Sequence, residues 1–328
     1  MKPGKTELRL NAEIEKRGAL FAVLLDPDTS DEAAFVKAGA MAAENGADLR
    51  LVGGSYLGNF TLPKQVAALK AHVDLPVVLF PGGASQVVPG FDAMLFMTLV
   101  SGRNPNYLID EQVRGGALVR ALNMEAIPTA YQLINSGKRT TVEYISGTMP
   151  VPANKPKLSM VNSIAAELMG MRYVYLEAGS GAEEPVPVEH IAYTRKATEM
   201  TIITGGGIKD PQTAAIRVAA GANIIVTGTL WENMTSTASC NHGFAAHMAR
   251  VLYRDVLGVY EISPTEKKVI LRFTDSGLKQ CKGSVPVGNE SVDVDWTIEG
   301  EEMKVTLKLP QGYTYESSSP GIKKCTIA

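Results

Sequence analysis

The chain has 328 residues, 45% of them hydrophobic and 20% charged, which is the balance of an ordinary globular protein with room for a barrel and a small module. A net charge of −2 gives no electrostatic case for nucleic acid or for an anionic membrane surface. No run of 18 apolar residues occurs, and Met1 to Ala19 mixes Lys, Glu and Arg without a hydrophobic signal core, so a cytoplasmic protein with no transmembrane segment is expected. Cys240, Cys281 and Cys325 all fall in the last third, at spacings that suit neither zinc nor a thioredoxin-type pair.

Ala19 to Leu25 is a continuous apolar run stopped by Asp26-Pro-Asp28. Short apolar runs between turn residues predict strands buried on both faces, as in a parallel sheet. A helix capped by Asp31 follows to about Asn45. Leu49 to Val52 then runs into Gly53-Gly-Ser55, and a helix with Pro63 in its first turn comes next. Pro76 to Phe80 ends at Pro81-Gly-Gly83, and the segment beyond is too short for a full helix. Asp92 to Met97 ends near Ser101-Gly-Arg-Asn104, a helix spans about Asn106 to Asn123, and Ala126 to Ile134 is the next strand. After a Pro- and Gly-rich loop, Gly147 to Pro156, helix is expected over Lys157 to Gly170.

Three strands that end in glycine follow: Tyr173 onward into Tyr175-Leu-Glu-Ala-Gly-Ser-Gly181, Ile202 into Gly205-Gly-Gly207, and Ile224 into Gly228-Thr229. Helices near Pro187 to Glu199 and Asp210 to Ala220 separate them. Eight strands alternating with helical segments over about 230 residues predict an α/β fold, a (β/α)8 TIM barrel. Ser236 to Asn241 reads as a polar linker and about His242 to Leu257 as a linker helix, with Phe244, Met248, Val251, Leu252 and Val256 on one stripe. Beyond Gly258 the period changes to two, in Lys268–Phe273, Ser291–Ile298 and Met303–Leu309, with a hairpin at Glu299 to Glu302. The expected division is a barrel over 1–235 and, over 236–328, the helix and a small antiparallel β-sandwich-like module.

On such a barrel the chemistry gathers at the C-terminal strand ends, and phosphate commonly sits after strands 7 and 8. Gly205-Gly-Gly207 and Gly228-Thr229 occupy those places, where backbone N–H groups approach an anion closely. Lys209 and Asp210 are read as starting the next helix. Asp26 and Asp28 end strand 1, and hard oxygen donors facing a phosphate site suit Mg2+; Ser55 adds a hydroxyl, and Asp28 reads equally well as capping a turn. Glu177 is the carboxylate on the strand-6 end, in reach of the barrel mouth, as a general base must be; a salt bridge to a neighbouring loop is the structural alternative. Arg103, Asn104 and Asn106 are candidates for a second anionic group. His72, His190, His242 and His247 fall away from the strand ends and are given no chemistry.

Leu25-Asp-Pro-Asp28, Gly53-Gly-Ser55, Asn104-Pro105, Tyr175 to Gly181, Gly205-Gly-Gly-Ile208 and Val226-Thr-Gly228 resemble, in order, the geranylgeranylglyceryl phosphate synthases and related prenylglyceryl phosphate synthases, over about residues 5 to 232. The resemblance implies Mg2+-dependent transfer of a prenyl group from its diphosphate to the C3 hydroxyl of sn-glycerol 1-phosphate, and a homo-oligomer. It implies Asp26 and Ser55 as metal ligands. Tyr175, Leu176, Glu177, Ala178, Gly179, Ser180, Gly181, Gly206, Gly207, Gly228 and Thr229 would hold glycerol 1-phosphate, with Glu177 taking the hydroxyl proton and Tyr175 beside it. Leu24 stands where one branch of the family has Lys, which is similar to the archaeal and Bacteroidetes-like branch. A prenyl groove lined by Leu57, Phe60, Phe96 and Met97 is expected.

The tail, from Cys240-Asn-His-Gly243 through Leu252 to Gly258 and on to Cys281-Lys-Gly-Ser284, resembles the C-terminal end of bacterial α-L-rhamnosidases, without that family's catalytic part, and the junction is placed near Trp231. Two other readings remain open on sequence: another phosphate-binding barrel enzyme, such as a sugar-phosphate isomerase or flavin-dependent oxidase, and an inactive barrel fused to a carbohydrate-binding or structural β module.

Overall fold

The computed structural model describes residues 2–28, 31–57, 61–72, 74–228, 254, 256–274, 278–287, 290–322 and 324–327. Eight parallel strands close into a barrel in sequence order: β1 (Leu20–Leu25), β2 (Leu49–Val52), β3 (Val77–Leu79), β4 (Ala93–Leu99), β5 (Glu125–Leu133), β6 (Tyr173–Glu177), β7 (Thr201–Gly205) and β8 (Ile224–Gly228). The ring is sealed where β8 returns to β1, pairing Leu20 with Ile224 and Leu24 with Gly228.

The apolar runs serve two cores at once, because alternate residues of a strand face opposite ways. Leu20, Ala22, Leu51, Val78, Leu95, Ile127, Tyr173, Tyr175, Ile203 and Val226 fill the barrel interior. Phe21, Val23, Leu25, Val52, Leu79, Val174, Leu176 and Ile202 pack outward against the helices. That same alternation decides the site. Continuing the interior rows past the last packed layer brings Asp26 after Leu24, Glu177 after Tyr175, Gly205 after Ile203 and Gly228 after Val226 to the mouth.

The outer layer follows the expected helices: α2 (Glu32–Glu44), α3 (Leu62–His72), α4 (Glu111–Ala121), α6 (Pro156–Leu168), α7 (Val188–Ala197) and α8 (Pro211–Ala219). Asp31 caps α2 by accepting the Ala34 N–H at 2.8 Å. After β3 a single 3-10 turn, Ala84–Gln86, replaces the helix, and a π-helical turn, Asn106–Asp110, leads into α4. Two helices were not expected. α5 (Thr141–Ser146) is one short piece ended by Gly147 in a left-handed conformation.

The other is α1 (Lys5–Arg17), which closes the N-terminal end of the barrel. Leu10 and Ile14 join the interior core. Thr6 and Glu7 donate their backbone N–H groups to the Glu125 carboxylate at 2.8 Å, and Asn11 Oδ1 accepts the Tyr173 hydroxyl at 2.8 Å. The Glu7 side chain, wholly buried, takes the Arg172 guanidinium, with Nη2 to Oε2 at 2.6 Å. Removing one partner of a buried pair strands the other charge, at a cost of roughly 3 kcal/mol. Arg172→Met is therefore expected to lower stability by that order in a denaturant titration, with the cavity residues untouched; an unchanged midpoint would show that α1 is not held this way.

The tail forms two further sheets, with strand orders β14-β10-β9 and β11-β12-β13-β15. These strands are β9 (Val259–Ser263), β10 (Lys268–Arg272), β11 (Gln280–Val287), β12 (Glu290–Glu299), β13 (Glu302–Lys308), β14 (Thr314–Ser318) and β15 (Lys324–Ile327). The inner pairs β9/β10, β11/β12 and β12/β13 are antiparallel, and β14 and β15 add parallel at edges. Leu271, Phe273, Val294, Trp296 and Val305 share one core contributed by both sheets, so they pack face to face. The predicted hairpin turns at Gly300, whose φ of +66° suits glycine. Cys281 and Cys325 are free thiols, and burial pushes Cys281 up to about 11, as for an inert packed cysteine. Cys240, His242, His247, the junction at Trp231, and the predicted linker helix up to residue 253 lie outside the described residues. Among those described, no helix is long and apolar enough to cross a membrane.

Candidate active site

A cavity of about 800 Å3 opens at the C-terminal end of the barrel, and residues in or just past all eight strands line it. One side is acidic and oxygen-rich. Asp26, Gly53, Gly54 and Ser55 lie there beside Gly82 and Gly83 of the loop after β3. Asp26 Oδ1 accepts the Asp28 N–H at 3.0 Å, while Oδ2 faces Gly54, where an added Cβ would stand 3.4 Å from it. A carboxylate and a hydroxyl that share a cavity wall form an all-oxygen donor set, the kind Mg2+ takes when substrate phosphates complete its shell. The residues present fit such an ion. The side chain of Asp28 is exposed and lines no part of the cavity, so its backbone closes the turn instead.

The opposite side carries Glu177. The residue is 6% exposed, and its carboxylate accepts the Gly179 N–H at 2.8 Å through Oε1. Burial raises its pKa above the usual carboxylate range, against the opposing pull of Tyr175 and the Gly179 N–H. The Tyr175 hydroxyl and Glu177 Oε2 both crowd Gly205, at 2.7 and 3.0 Å from where a Cβ would be. That hydroxyl makes no hydrogen bond of regular geometry within the described structure. Burial and the neighbouring carboxylate hold both Tyr175 and Tyr131 well above the ordinary phenol value, so both are neutral donors.

The glycine loops close around the carboxylate. Gly206 has a φ of +80°, and a Cβ there would lie 2.5 Å from Glu177 Oε1 and 2.7 Å from the Gly179 oxygen. No other residue can pass that close. Gly179, at φ +96°, is pressed equally tightly against Thr140. Of the predicted phosphate-site residues, Tyr175, Glu177, Ser180, Gly181, Gly206, Gly207 and Gly228 line the cavity. Leu176 and Ala178 do not: both are buried in the layer between strands and helices, because the alternation that points Glu177 inward points them out. Gly179 acts through its N–H on Glu177. Thr229 lies outside the described residues.

Other expectations are corrected. Arg103 donates to the Val100 and Gly102 carbonyls, and Asn104 donates to Ser146 O at 2.6 Å while its Oδ1 accepts the Asn106 N–H. Arg103 bonds its own loop, Asn104 ties that loop to the Ser146 carbonyl and Asn106 pairs with Glu111 and Arg114, and none of the three lines this cavity. Asp210 caps α8, accepting the Thr213 N–H at 2.7 Å. Lys209 does not begin that helix: it lines the cavity, its Nζ donating to Glu183 O at 3.1 Å across from the loop after β6. His190 is buried between Ser159 Oγ and Ala153 O.

Phe96 and Met97 line the apolar wall as expected, but Leu57 packs against the outer core and Phe60 is not among the described residues. The wall is built from more distant parts of the chain, Phe80, Val87, Leu99, Tyr107 and Ile145 among them. Phe80, Tyr131 and Tyr175 form an aromatic cluster with ring centroids 5.2 to 6.1 Å apart at its inner end. Sequence reasoning passed over Phe80 because it read as the last residue of a buried strand; the signal was its parity with Val78, which turns it inward.

Comparison with known proteins agrees with this geometry. The PcrB family model matches residues 12–242. A geranylgeranylglyceryl phosphate synthase of Korarchaeum cryptofilum is 42% identical over 210 residues, 64% of this chain and 86% of that protein. One of Spirosoma linguale is 41% identical over 208 residues, 63% of this chain and 84% of the relative. Among solved structures, (S)-3-O-geranylgeranylglyceryl phosphate synthase from Thermoplasma acidophilum in complex with substrate sn-glycerol-1-phosphate superposes with a TM-score of 0.67 at 28% identity, covering 76% of this chain and 97% of that one.

Proposed function

The chain belongs to the PcrB family, and from that premise we propose that it is a prenyltransferase that joins a prenyl group to the C3 hydroxyl of sn-glycerol 1-phosphate, giving an ether-lipid precursor. One observation carries the reading: a single cavity joins an oxygen-rich cradle, a buried carboxylate ringed by glycine loops, and a long apolar wall. Those three parts answer the diphosphate, the glycerol phosphate and the prenyl tail in turn.

Glycerol 1-phosphate sets its phosphate against the backbone N–H groups at Gly206, Gly207 and Gly228, with Ser180 and Gly181 across from them and the Lys209 ammonium at the rim. Fixing the phosphate there brings the C3 hydroxyl towards Glu177. Asp26 and Ser55 would hold Mg2+, which when bound would supply positive charge to the leaving diphosphate. The allylic C–O bond breaks and diphosphate departs with the electron pair; the C3 oxygen forms the new ether bond to C1 of the prenyl group. Glu177 takes the hydroxyl proton as that bond forms. Its raised pKa makes its ionised form a stronger proton acceptor than an exposed carboxylate. The π faces of Phe80, Tyr131 and Tyr175 favour positive charge on the reacting carbon, and their bulk excludes water that would otherwise intercept it.

The division of labour belongs to the same proposal. Residues 1–235 form the catalytic unit, since the family match ends at residue 242 and the core of the tail sheets draws on residues 257 to 327 alone. Asp26→Asn tests the metal cradle. It is expected to raise the Mg2+ concentration needed for half-maximal transfer by roughly tenfold or more while leaving the KM for glycerol 1-phosphate within twofold. An unchanged metal dependence would move the cradle elsewhere.

A further inference from the structure

The oxygen-rich cradle stands on two glycine-rich loops. The loop after β2 is Gly53-Gly-Ser55 and the loop after β3 is Pro81-Gly-Gly83, and they cross closely enough that a Cβ on Gly82 would lie 2.5 Å from Gly54 O and 2.7 Å from Ser55 O. Glycine permits that crossing and does nothing to fix it. A side chain bridges the two loops. Gln86, in the 3-10 turn that stands where a helix was missing, is 6% exposed. Its Oε1 accepts the Gly82 N–H at 2.9 Å, and its Nε2 donates to Gly54 O at 2.9 Å.

We propose that Gln86 is a positioning residue for the metal cradle: its buried amide clamps the β2 and β3 loops together and thereby holds Ser55 beside Asp26. The inference rests on the reading of Asp26 and Ser55 as metal ligands. Gln86 is not among the residues lining the cavity, so it acts through the loops and touches neither substrate. The amide is required by its chemistry, since the clamp needs one acceptor and one donor on the same planar group. A carboxylate keeps the acceptor for Gly82 but sets a second oxygen against the Gly54 carbonyl. The glycerol-phosphate side, built on β6, β7 and β8, shares no hydrogen bond with this clamp among the described residues.

The test is Mn2+ binding followed by electron paramagnetic resonance, with and without inorganic diphosphate, on the full chain, its Gln86→Glu and Gln86→Leu variants, and Asp26→Asn as reference. Calorimetric titration with sn-glycerol 1-phosphate is run in parallel. Both Gln86 variants are expected to weaken diphosphate-supported Mn2+ binding by about tenfold or more, the range seen when the outer support of a metal ligand is removed, with glycerol 1-phosphate affinity within twofold of wild type. Unchanged Mn2+ affinity in both variants would overturn the proposal. So would a parallel loss of both affinities, which would mark Gln86 as a general fold residue. Wild type that binds Mn2+ no better than Asp26→Asn would overturn the cradle itself, and the clamp's role with it.

Discussion

Glu177→Gln is expected to lower the transfer rate by roughly 10²-fold or more and yet to melt no earlier than the wild type at pH 8. The two halves have one cause. Gln keeps the acceptor that takes the Gly179 N–H and fills the same space, but it cannot hold the proton that the hydroxyl must lose. Because burial raises the pKa of Glu177 in the folded chain above its unfolded value, the carboxyl favours folding only where it is protonated. That contribution is whole below the unfolded value, near 4.3 for a free glutamate, and is lost as pH rises through the folded one. Above its folded pKa the wild type carries a buried charge that the variant lacks, and the stability gap between them should close as pH falls through that value. Activity runs the other way: wild-type kcat/KM should fall on the acid side through a pKa above the ordinary glutamate range. A variant that turns over as fast as wild type, or a profile flat down to pH 4, would remove Glu177 from the base role.

Gly206→Ala is the second large effect. The φ of +80° costs an L-residue on the order of 1 kcal/mol or more, and the new methyl would sit 2.5 Å from Glu177 Oε1 and 2.8 Å from the Gly179 nitrogen. The backbone contacts cannot yield without parting the loops after β6 and β7, so the carboxylate moves. A displacement of about 1 Å at a reacting group is worth roughly 10²-fold in rate, and kcat/KM should fall by that order. Gly170→Ala separates strain from collision. Its φ is +89° but a Cβ there meets nothing within 4 Å, so it should lose similar stability and keep its activity. Equal activity losses in the two variants would make the effect one of stability alone.

The barrel was legible because most of its strands are short, largely apolar runs that stop at turn residues, such as Asp26-Pro27 after β1, Gly53 after β2 and Pro81 after β3. The catalytic end was legible for a related reason. Where a buried strand admits a carboxylate at its last position, as at Glu177, or stops on glycine, as at Gly205 and Gly228, the sequence departs from packing rules at the point where a ligand must be met. What stayed hidden is contact set by distant chain. α1 turns only Leu10 and Ile14 into the barrel and holds its place through Glu7 and Arg172, so no apolar stripe announces it. Lys209 follows a glycine loop and precedes a capped helix, and only the closed barrel shows that it reaches the loop after β6. In the tail, β12 and β13 alternate cleanly, whereas β11 carries Gly283 and Pro286, and β14 is exposed along its whole length; neither offers a period-two signal. Arg103 and Asn104 lie outside the cavity because their side chains are taken up by backbone carbonyls, those of Val100 and Gly102 for Arg103 and that of the distant Ser146 for Asn104.

The most direct measurement incubates the chain with labelled sn-glycerol 1-phosphate, Mg2+ and a series of prenyl diphosphates, and follows label into the organic phase. Label should extract only when both substrates are present, reach its maximum with one prenyl length that the apolar wall accommodates, and stay in water when Glu177→Gln replaces the wild type. Water-soluble label in every tube, or equal extraction by wild type and variant, would contradict a cavity that brings an alcohol, its base and a prenyl donor together.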